Sequence, residues 1–141
     1  MKFLVPVDGS ASANHAVEWL INSSGWLKDS PQIFLINVQW KLASGNVKLF
    51  INQETIDDYY REQGMAALAE ARKKLDAAGL SYTYHISIGT PAEAIVQYAQ
   101  EKHVDQITMG VHGQGALSTL LLGSVVSKVL HLASMPVLMV K

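Results

Sequence analysis

Glycines and a serine spaced along residues 107–127 could bind an anion. An apolar run ends at Gly110, a glycine-rich turn continues through Gly115, and Gly123 and Ser124 begin a stretch with helical spacing of apolar residues. Glycine lets backbone N–H groups crowd around an anion, and the first turn of a helix adds unpaired donors and the positive end of its dipole. The segment therefore predicts a strand, a loop and a helix start that hold a phosphate without a lysine.

This glycine spacing differs from two common phosphate-binding motifs. A P-loop would carry Lys and Ser or Thr where Ala116 and Leu117 stand. The dinucleotide fingerprint would need a third glycine where Ser118 stands. The pattern that the chain does carry is Gly110-x2-Gly113-x9-Gly123-Ser124.

Composition and charge narrow the class of protein. A chain of 141 residues with 49% hydrophobic residues can bury the core of one domain, so residues 1–141 are expected to be a single domain. A net charge of −1, with acidic and basic residues interleaved, argues against binding to nucleic acid or to an anionic membrane surface. The chain contains no cysteine and no apolar run of about 18 residues, so we expect a soluble, cytoplasmic protein.

Short apolar runs alternate with stretches of helical spacing along the chain. Five runs predict strands, and four helical stretches lie between them. This order is typical of an α/β fold, a doubly wound five-stranded parallel sheet with right-handed crossovers. Gly79 is expected to end the second helix. The third helix should begin with Thr90 as N-cap, Pro91 as first residue and Glu93 closing a capping box. The alternating residues 81–88 predict a half-exposed edge strand.

In such sheets ligands bind beyond the carboxyl ends of the strands, where the strand order reverses. If the first and fourth strands are neighbours, Asp8 and the loop from Gly110 to Gly115 face the same crevice. Asp8 also suits a turn or a helix cap, and spacing alone leaves the two interpretations open. His112 in the loop could donate to a phosphate, titrate or face solvent.

The other histidines and the tryptophans indicate no separate site. No other histidine has metal-ligand spacing with another, so surface or boundary positions are expected for His15, His85, His103 and His131. Trp19, Trp26 and Trp40 are interpreted as core or interface aromatics, because no basic residues interleave them.

Four segments together resemble the universal stress protein family. They are Leu4-Val-Pro-Val-Asp-Gly-Ser10, Gly89-Thr-Pro91, the glycine pattern from Gly110 to Ser124, and Pro136-Val-Leu-Met-Val140. The resemblance spans essentially the whole chain. It implies a Rossmann-like fold of the adenine nucleotide alpha hydrolase type, with strand order 3-2-1-4-5, and a protein that binds ATP.

The resemblance also implies roles for individual residues. Asp8 would accept hydrogen bonds from the ribose or the base, flanked by Pro6 and Val7. Val38, at the end of the second strand, would meet the adenine through its backbone. The glycine pattern would supply Met109 and, as the phosphate cradle, Gly110, His112, Gly113, Gly123, Ser124 and Val125.

Two residues depart from the family pattern. Val111 stands where many relatives carry serine, and Gln114 where a basic residue is common, so a hydroxyl and a positive charge are missing from the anion side. Magnesium would bind through the nucleotide phosphates, since no cluster of carboxylates is dedicated to a metal. The departures make plausible an alternative function: an interaction module of the same fold that binds an unidentified protein partner and no nucleotide.

Catalysis has little support in the motifs. The chain has no Gly-x-Ser-x-Gly elbow, no cysteine nucleophile and no paired carboxylates near the predicted pocket, so ATP hydrolysis would be slow at most. An adenylyl- or phosphoryl-transfer enzyme would need a second substrate site that no motif provides. The resemblance implies instead a stress-response regulator that binds ATP as a homodimer, in which the strand from Pro136 to Val140 pairs antiparallel with its twin.

Overall fold

The apolar runs form strands, and the stretches of helical spacing form the helices between them. The computed structural model describes residues 1–41, 51–112 and 122–141. In that part of the chain the strands are β1 (Lys2–Pro6), β2 (Gln32–Gln39), β3 (Tyr82–Ile88), β4 (Gln106–Gly110) and β5 (Val137–Val140). The helices are α1 (Ala11–Ser23), α2 (Gln53–Ala77), α3 (Pro91–Glu101) and α4 (Ser124–Leu132), and a 3₁₀ turn at Ser24–Trp26 follows α1.

The strands form one parallel sheet in the order β3-β2-β1-β4-β5. β1 lies in the middle, because the chain adds β2 and β3 on one side of it and then returns to add β4 and β5 on the other. The expected α/β fold and the strand order 3-2-1-4-5 are therefore confirmed. β3 lies at an edge, as its alternating pattern predicts, and β5 lies at the opposite edge.

Apolar side chains fill both faces of the sheet. Along β1, Leu4 belongs to the cluster beneath α3 and α4, whereas Phe3 and Val5 belong to the cluster beneath α1 and α2. β2 alternates in the same way, with Ile36 on the first face and Leu35 on the second. Successive strand residues point to opposite faces, so a strand covered on both sides needs a continuous apolar run. Two layers of helices therefore cover the sheet, one on each face.

A serine caps the start of α1, and the predicted glycine signal at the end of α2 is confirmed. The Oγ atom of Ser10 accepts a hydrogen bond from the N–H of Ala13 at 3.2 Å, so Ser10 is the N-cap of α1. Gly79 follows α2 with a φ of 66°, a conformation that glycine adopts without strain. The N–H of Leu80 donates to the carbonyl of Leu75 at 3.1 Å, which completes a Schellman arrangement.

The capping box predicted at the start of α3 is wrong. Pro91 is the first helical residue as expected, but the side chain of Thr90 makes no capping hydrogen bond within the described residues. Glu93 instead forms an ion pair with Lys128 of α4. Because α4 lies beside α3, an ammonium group is within reach of the carboxylate, and a charged donor is a stronger partner than a neutral one.

Two of the three tryptophans are not core residues, so for them the interpretation as interface aromatics stays a prediction. Trp19 is half-buried against the cluster beneath α1 and α2. Trp26 is 81% exposed and Trp40 is 65% exposed. Both follow the end of an element, Trp26 after α1 and Trp40 after β2, and so lie beyond the helical layers that cover the sheet. The histidines predicted at the surface are all exposed, namely His15, His85, His103 and His131.

A helix that crosses a lipid bilayer needs about 20 consecutive, mostly apolar residues. Within the described ranges, no helix is both long enough and apolar enough to cross a membrane.

Candidate functional site

A cavity of about 510 Å³ opens at the carboxyl edge of the sheet, where the strand order reverses. It lies beyond the ends of β1, β2 and β4 and reaches the first residues of α3 and α4. The predicted site residues that line it are Pro6, Val7, Asp8, Val38, Met109, Gly110, His112, Gly123, Ser124 and Val125. The remaining predicted residue, Gly113, lies outside the described residues.

Pro6 accounts for part of the opening between β1 and β4. β1 pairs with β2 as far as Pro6 opposite Ile36, but its pairing with β4 ends at Leu4 opposite Ile107. The N–H of Val7 donates to the carbonyl of Ile36 at 2.8 Å, so the alternation along a strand turns the backbone of Pro6 towards β4. Proline has no N–H to donate there, and the ladder stops. The interruption of pairing at Pro6 therefore lies in the cavity wall.

Gly110, the last residue of β4, is in tight contact with the start of α1. A Cβ atom at this position would lie under 3.0 Å from both the backbone oxygen and the Oγ atom of Ser12. The same Oγ atom accepts a hydrogen bond from the N–H of His112 at 3.3 Å. A side chain at position 110 would push α1 away from β4, so glycine here serves packing as well as any ligand.

The backbone of Val111, next to Gly110, is hydrogen-bonded both to β5 and to Gly123. Its N–H donates to the carbonyl of Val140 in β5 at 3.1 Å, and its own carbonyl accepts from the N–H of Gly123 at 2.9 Å. The second hydrogen bond holds the start of α4 against the end of β4. The side chain of Val111 is 8% exposed and belongs to the core, so only its backbone organises the site.

Helix α4 begins at the cavity. Gly123 is its N-cap, and the N–H of Ser127 donates to the carbonyl of Gly123 at 3.0 Å. The N–H groups of the first turn, from Ser124 to Val126, have no acceptor inside the helix. Because Gly123 and Ser124 line the cavity, these donors and the positive end of the helix dipole lie at its wall.

Asp8 stabilises a turn and also lines the cavity. Its Oδ1 atom accepts a hydrogen bond from the N–H of Ser10 at 2.9 Å, in the connection between β1 and α1. Ser10, rather than Asp8, caps the helix. The turn interpretation of Asp8 is therefore confirmed, and its place in the cavity wall makes it a candidate ligand residue as well.

Sequence reasoning missed a polar network in the cavity wall. Asn37 is buried in β2, and its side-chain nitrogen donates to the carbonyl of Val7 at 2.8 Å. The Oδ1 atom of Asn37 accepts from the Nε2 atom of Gln39 at 2.6 Å. Trp40 and Pro91 line the cavity too and were not predicted there. An asparagine inside an otherwise apolar run was the available signal, because a buried amide needs hydrogen-bond partners.

The cavity wall carries little charge. Its described residues include the carboxyl group of Asp8 and the imidazole of His112, and neither lysine nor arginine is among them. The Nδ1 atom of His112 is buried and finds no hydrogen-bond partner in the described part of the chain. A buried polar atom without a partner is destabilising unless a ligand or water satisfies it. An anion in this cavity would therefore meet mainly neutral backbone donors.

A metal ion bound by the protein alone would need a cluster of ligating side chains. Considering residues 1–41, 51–112 and 122–141, the structure contains no group of His, Asp and Glu placed to hold a metal ion.

Comparison with known proteins places the chain in a family. The family model for the Universal stress protein family matches residues 1–141. The chain belongs to this family. Universal stress protein MJ0531 of Methanocaldococcus jannaschii is 31% identical over 140 residues, which are 99% of this chain and 81% of that protein. The solved structure of hypothetical protein MJ0577 from the same organism has a TM-score of 0.84 at 29% identity, covering 99% of this chain and 94% of that one.

Two more distant family structures contain adenine nucleotides. A universal stress protein in complex with cAMP has a TM-score of 0.72 at 22% identity, covering 100% of this chain and 97% of that one. A family member from Arabidopsis thaliana with AMP bound has a TM-score of 0.69 at 22% identity, covering 100% of this chain and 91% of that one. These structures share the fold of the present chain.

Proposed function

We propose that this protein binds an adenine nucleotide, with ATP as the cellular ligand. One observation carries the proposal: the hydrogen bond between Val111 and Gly123 brings the first turn of α4 to the same cavity as Asp8. A carboxylate accepts hydrogen bonds from sugar hydroxyls, and free backbone N–H groups at a helix start donate to phosphate oxygens. The cavity thus offers both kinds of group that a nucleotide needs.

The two ends of the nucleotide would occupy different walls. The base and ribose would lie against Pro6, Asp8 and Val38, beyond β1 and β2, and the phosphates against Gly123 and Ser124. Magnesium would arrive with the phosphates, since it binds readily through ligand oxygens and water. Relatives of the same fold that contain AMP and cAMP support an adenine nucleotide as the ligand class.

Calorimetric titration with Mg-ATP and AMP tests the proposal, with Asp8→Asn as the diagnostic variant. Asparagine keeps an acceptor for the N–H of Ser10 but removes the charge, so the turn survives and the ribose contact weakens. A hydrogen bond to a charged group contributes about 1.5 to 3 kcal/mol and one to a neutral group about 0.5 to 1.5 kcal/mol. The loss of about 1 to 1.5 kcal/mol should raise the dissociation constant about fivefold to tenfold.

Asp29→Asn is the matched control for this titration. Asp29 is exposed and precedes β2, at the amino edge of the sheet, away from the cavity. Its substitution should leave affinity unchanged. Wild-type protein that binds neither Mg-ATP nor AMP at millimolar concentration would contradict the proposal and favour the interaction module.

A regulatory role fits this site better than an enzymatic one. Asp8 and His112 are the titratable residues among the described lining, and Asp8 is engaged with Ser10, which leaves little for acid–base chemistry on a phosphate. We therefore propose a stress-response protein that holds ATP and hydrolyses it slowly at most. Its location in the cytoplasm stays a prediction of the sequence.

The edge strand β5 supports a homodimer as the working assembly. β5 is the last strand of the sheet, and Met139 within it is 40% exposed. An edge strand presents backbone donors and acceptors to any strand that approaches. Antiparallel pairing of two β5 strands about a two-fold axis would satisfy both copies at once.

A further inference from the structure

Trp40 is an exposed tryptophan at the mouth of the cavity. It follows the last residue of β2, is 65% exposed, and lines the cavity together with Val38 and Pro91. An indole ring carries a large apolar surface, which is usually buried in a protein interior or an interface. Trp40 instead combines this exposure with a place in the lining of a ligand-sized cavity.

The backbone next to Trp40 is fixed on two sides. The carbonyl of Gln39 accepts a hydrogen bond from the N–H of Gly89 at 2.9 Å, which ties it to the end of β3. The side chain of Gln39 donates to Asn37 at 2.6 Å, and Asn37 donates to the carbonyl of Val7 at 2.8 Å. The residue that precedes Trp40 is therefore held in place by hydrogen bonds of both its backbone and its side chain.

The wall around Trp40 suits a flat aromatic group. Pro6, Val38, Pro91 and Ile95 line the same cavity and present apolar surface. The unpaired backbone donors of α4 begin at Ser124, because the N–H of Gly123 already donates to the carbonyl of Val111. A nucleotide has one flat apolar part, the base, and one anionic part, the phosphate. If the phosphate binds at the start of α4, the base lies against these apolar side chains.

We propose that Trp40 stacks on the base of the bound nucleotide and so supplies much of the affinity for the nucleoside part. This inference rests on the proposed nucleotide binding. Every base has a π-face, and stacking of a base on an aromatic side chain is tolerant of base identity. Trp40 would therefore strengthen the binding of a nucleotide whatever its base.

The test compares AMP with ribose 5-phosphate, which lacks the base. Both are titrated calorimetrically into wild-type protein, Trp40→Ala and Trp40→Phe. One stacked base is worth about fivefold to a hundredfold in affinity, so Trp40→Ala should weaken AMP by that factor. Trp40→Phe should recover most of the loss, and the binding of ribose 5-phosphate should be the same in all three proteins.

Trp26→Ala is the matched control. Trp26 is also highly exposed, at 81%, but it follows α1 at the amino edge of the sheet, opposite the cavity. Its removal should change neither titration. As a second readout, AMP should quench the tryptophan fluorescence of Trp26→Phe protein, and this quenching should disappear when Trp40→Phe is added.

The outcomes distinguish a failure of the stacking role from a failure of nucleotide binding. Equal affinity of wild type and Trp40→Ala for AMP, or equal loss in Trp40→Ala and Trp40→Phe, overturns the stacking role and leaves nucleotide binding intact. Wild-type protein that binds no AMP overturns the proposed function itself, and the stacking role with it.

Discussion

Packing and ligand binding both favour glycine at position 110. It lines the cavity, and it also lies against the backbone of Ser12 at the start of α1. The contact involves a main-chain oxygen of a helix, which cannot rotate away as the end of a flexible side chain could. Glycine at this position would thus be required even without a ligand.

The substitution Gly110→Ala should destabilise the fold by about 3 kcal/mol, at the upper end of what overpacking costs. Urea denaturation measures the change. Gly25→Ala is the control, because a Cβ atom at Gly25 meets nothing within 4 Å, and its effect should stay within about 0.5 kcal/mol. Ser12→Ala should not rescue Gly110→Ala, since the carbonyl oxygen remains. A Gly110→Ala protein as stable as Gly25→Ala would show that α1 moves away at little cost.

Single residues were predictable from the sequence where their role depends on neighbours along the chain. Gly79 at the end of α2 is such a case, because its positive φ is set by the helix it terminates. The tight contact of Gly110 with Ser12 was not predictable, since the two are brought together only by the crossing of α1 over β4. The exposure of Trp40 was not predictable for a related reason: a tryptophan just after an apolar strand can be buried or exposed, and only the tertiary packing decides which.

At the scale of elements, the ion pair between Glu93 and Lys128 connects α3 to α4, the helix that begins at the cavity. A hydrogen bond from the Lys128 side chain, assisted by the backbone N–H of Glu93 itself, lowers the pKa of the Glu93 carboxyl below 4.5. The ionised form is therefore favoured in the folded state. A lowered pKa means that the contribution to stability is present above pH 4.5 and is lost as the pH falls through the folded-state pKa.

Glu93→Gln should accordingly reduce the free energy of unfolding near neutral pH, and the difference from wild type should shrink to nothing in acid. Urea denaturation between about pH 7 and about pH 3 follows the difference through the titration of a carboxyl group. Both side chains are about half exposed, so added salt should also diminish it. Glu62→Gln, an exposed carboxyl on α2, is the control. A Glu93→Gln deficit that persists unchanged in acid would exclude the ion pair as its origin.

Elements were predicted better than the contacts between them. Strands and helices follow from the spacing of apolar residues, which is local information. The pattern is clear in β1 and β2 because both of their faces are buried. The capping box at Thr90 failed because Lys128, from a distant part of the sequence, offers Glu93 a charged partner. Local rules carry no information about groups that arrive by tertiary packing.

At the scale of the whole molecule, the strand order could not be read from periodicity. An apolar pattern records which faces of a strand are covered but not which strand lies beside it. The order 3-2-1-4-5 came from the resemblance to a family, and it determines that β1 and β4 are neighbours and that the cavity opens between them. The same order leaves β3 and β5 at the two edges.

The two edges allow a sharp test of the proposed homodimer. Met139 in β5 is 40% exposed and Ile88 in β3 is 46% exposed, so one substitution can be made on each edge at matched exposure. In an antiparallel pair of β5 strands, Met139→Lys would place two like charges near the two-fold axis, and directly opposed like charges are destabilising. Ile88→Lys would leave that contact untouched.

We therefore expect wild type and Ile88→Lys to sediment with the mass of two subunits at micromolar concentration, and Met139→Lys with the mass of one. Circular dichroism of each variant would establish that the subunit remains folded, which is expected because both positions lie at the surface. A one-subunit mass for wild type would refute the dimer. A one-subunit mass for Ile88→Lys alone would move the contact to β3, because charge on an edge strand blocks only the pairing in which that edge takes part.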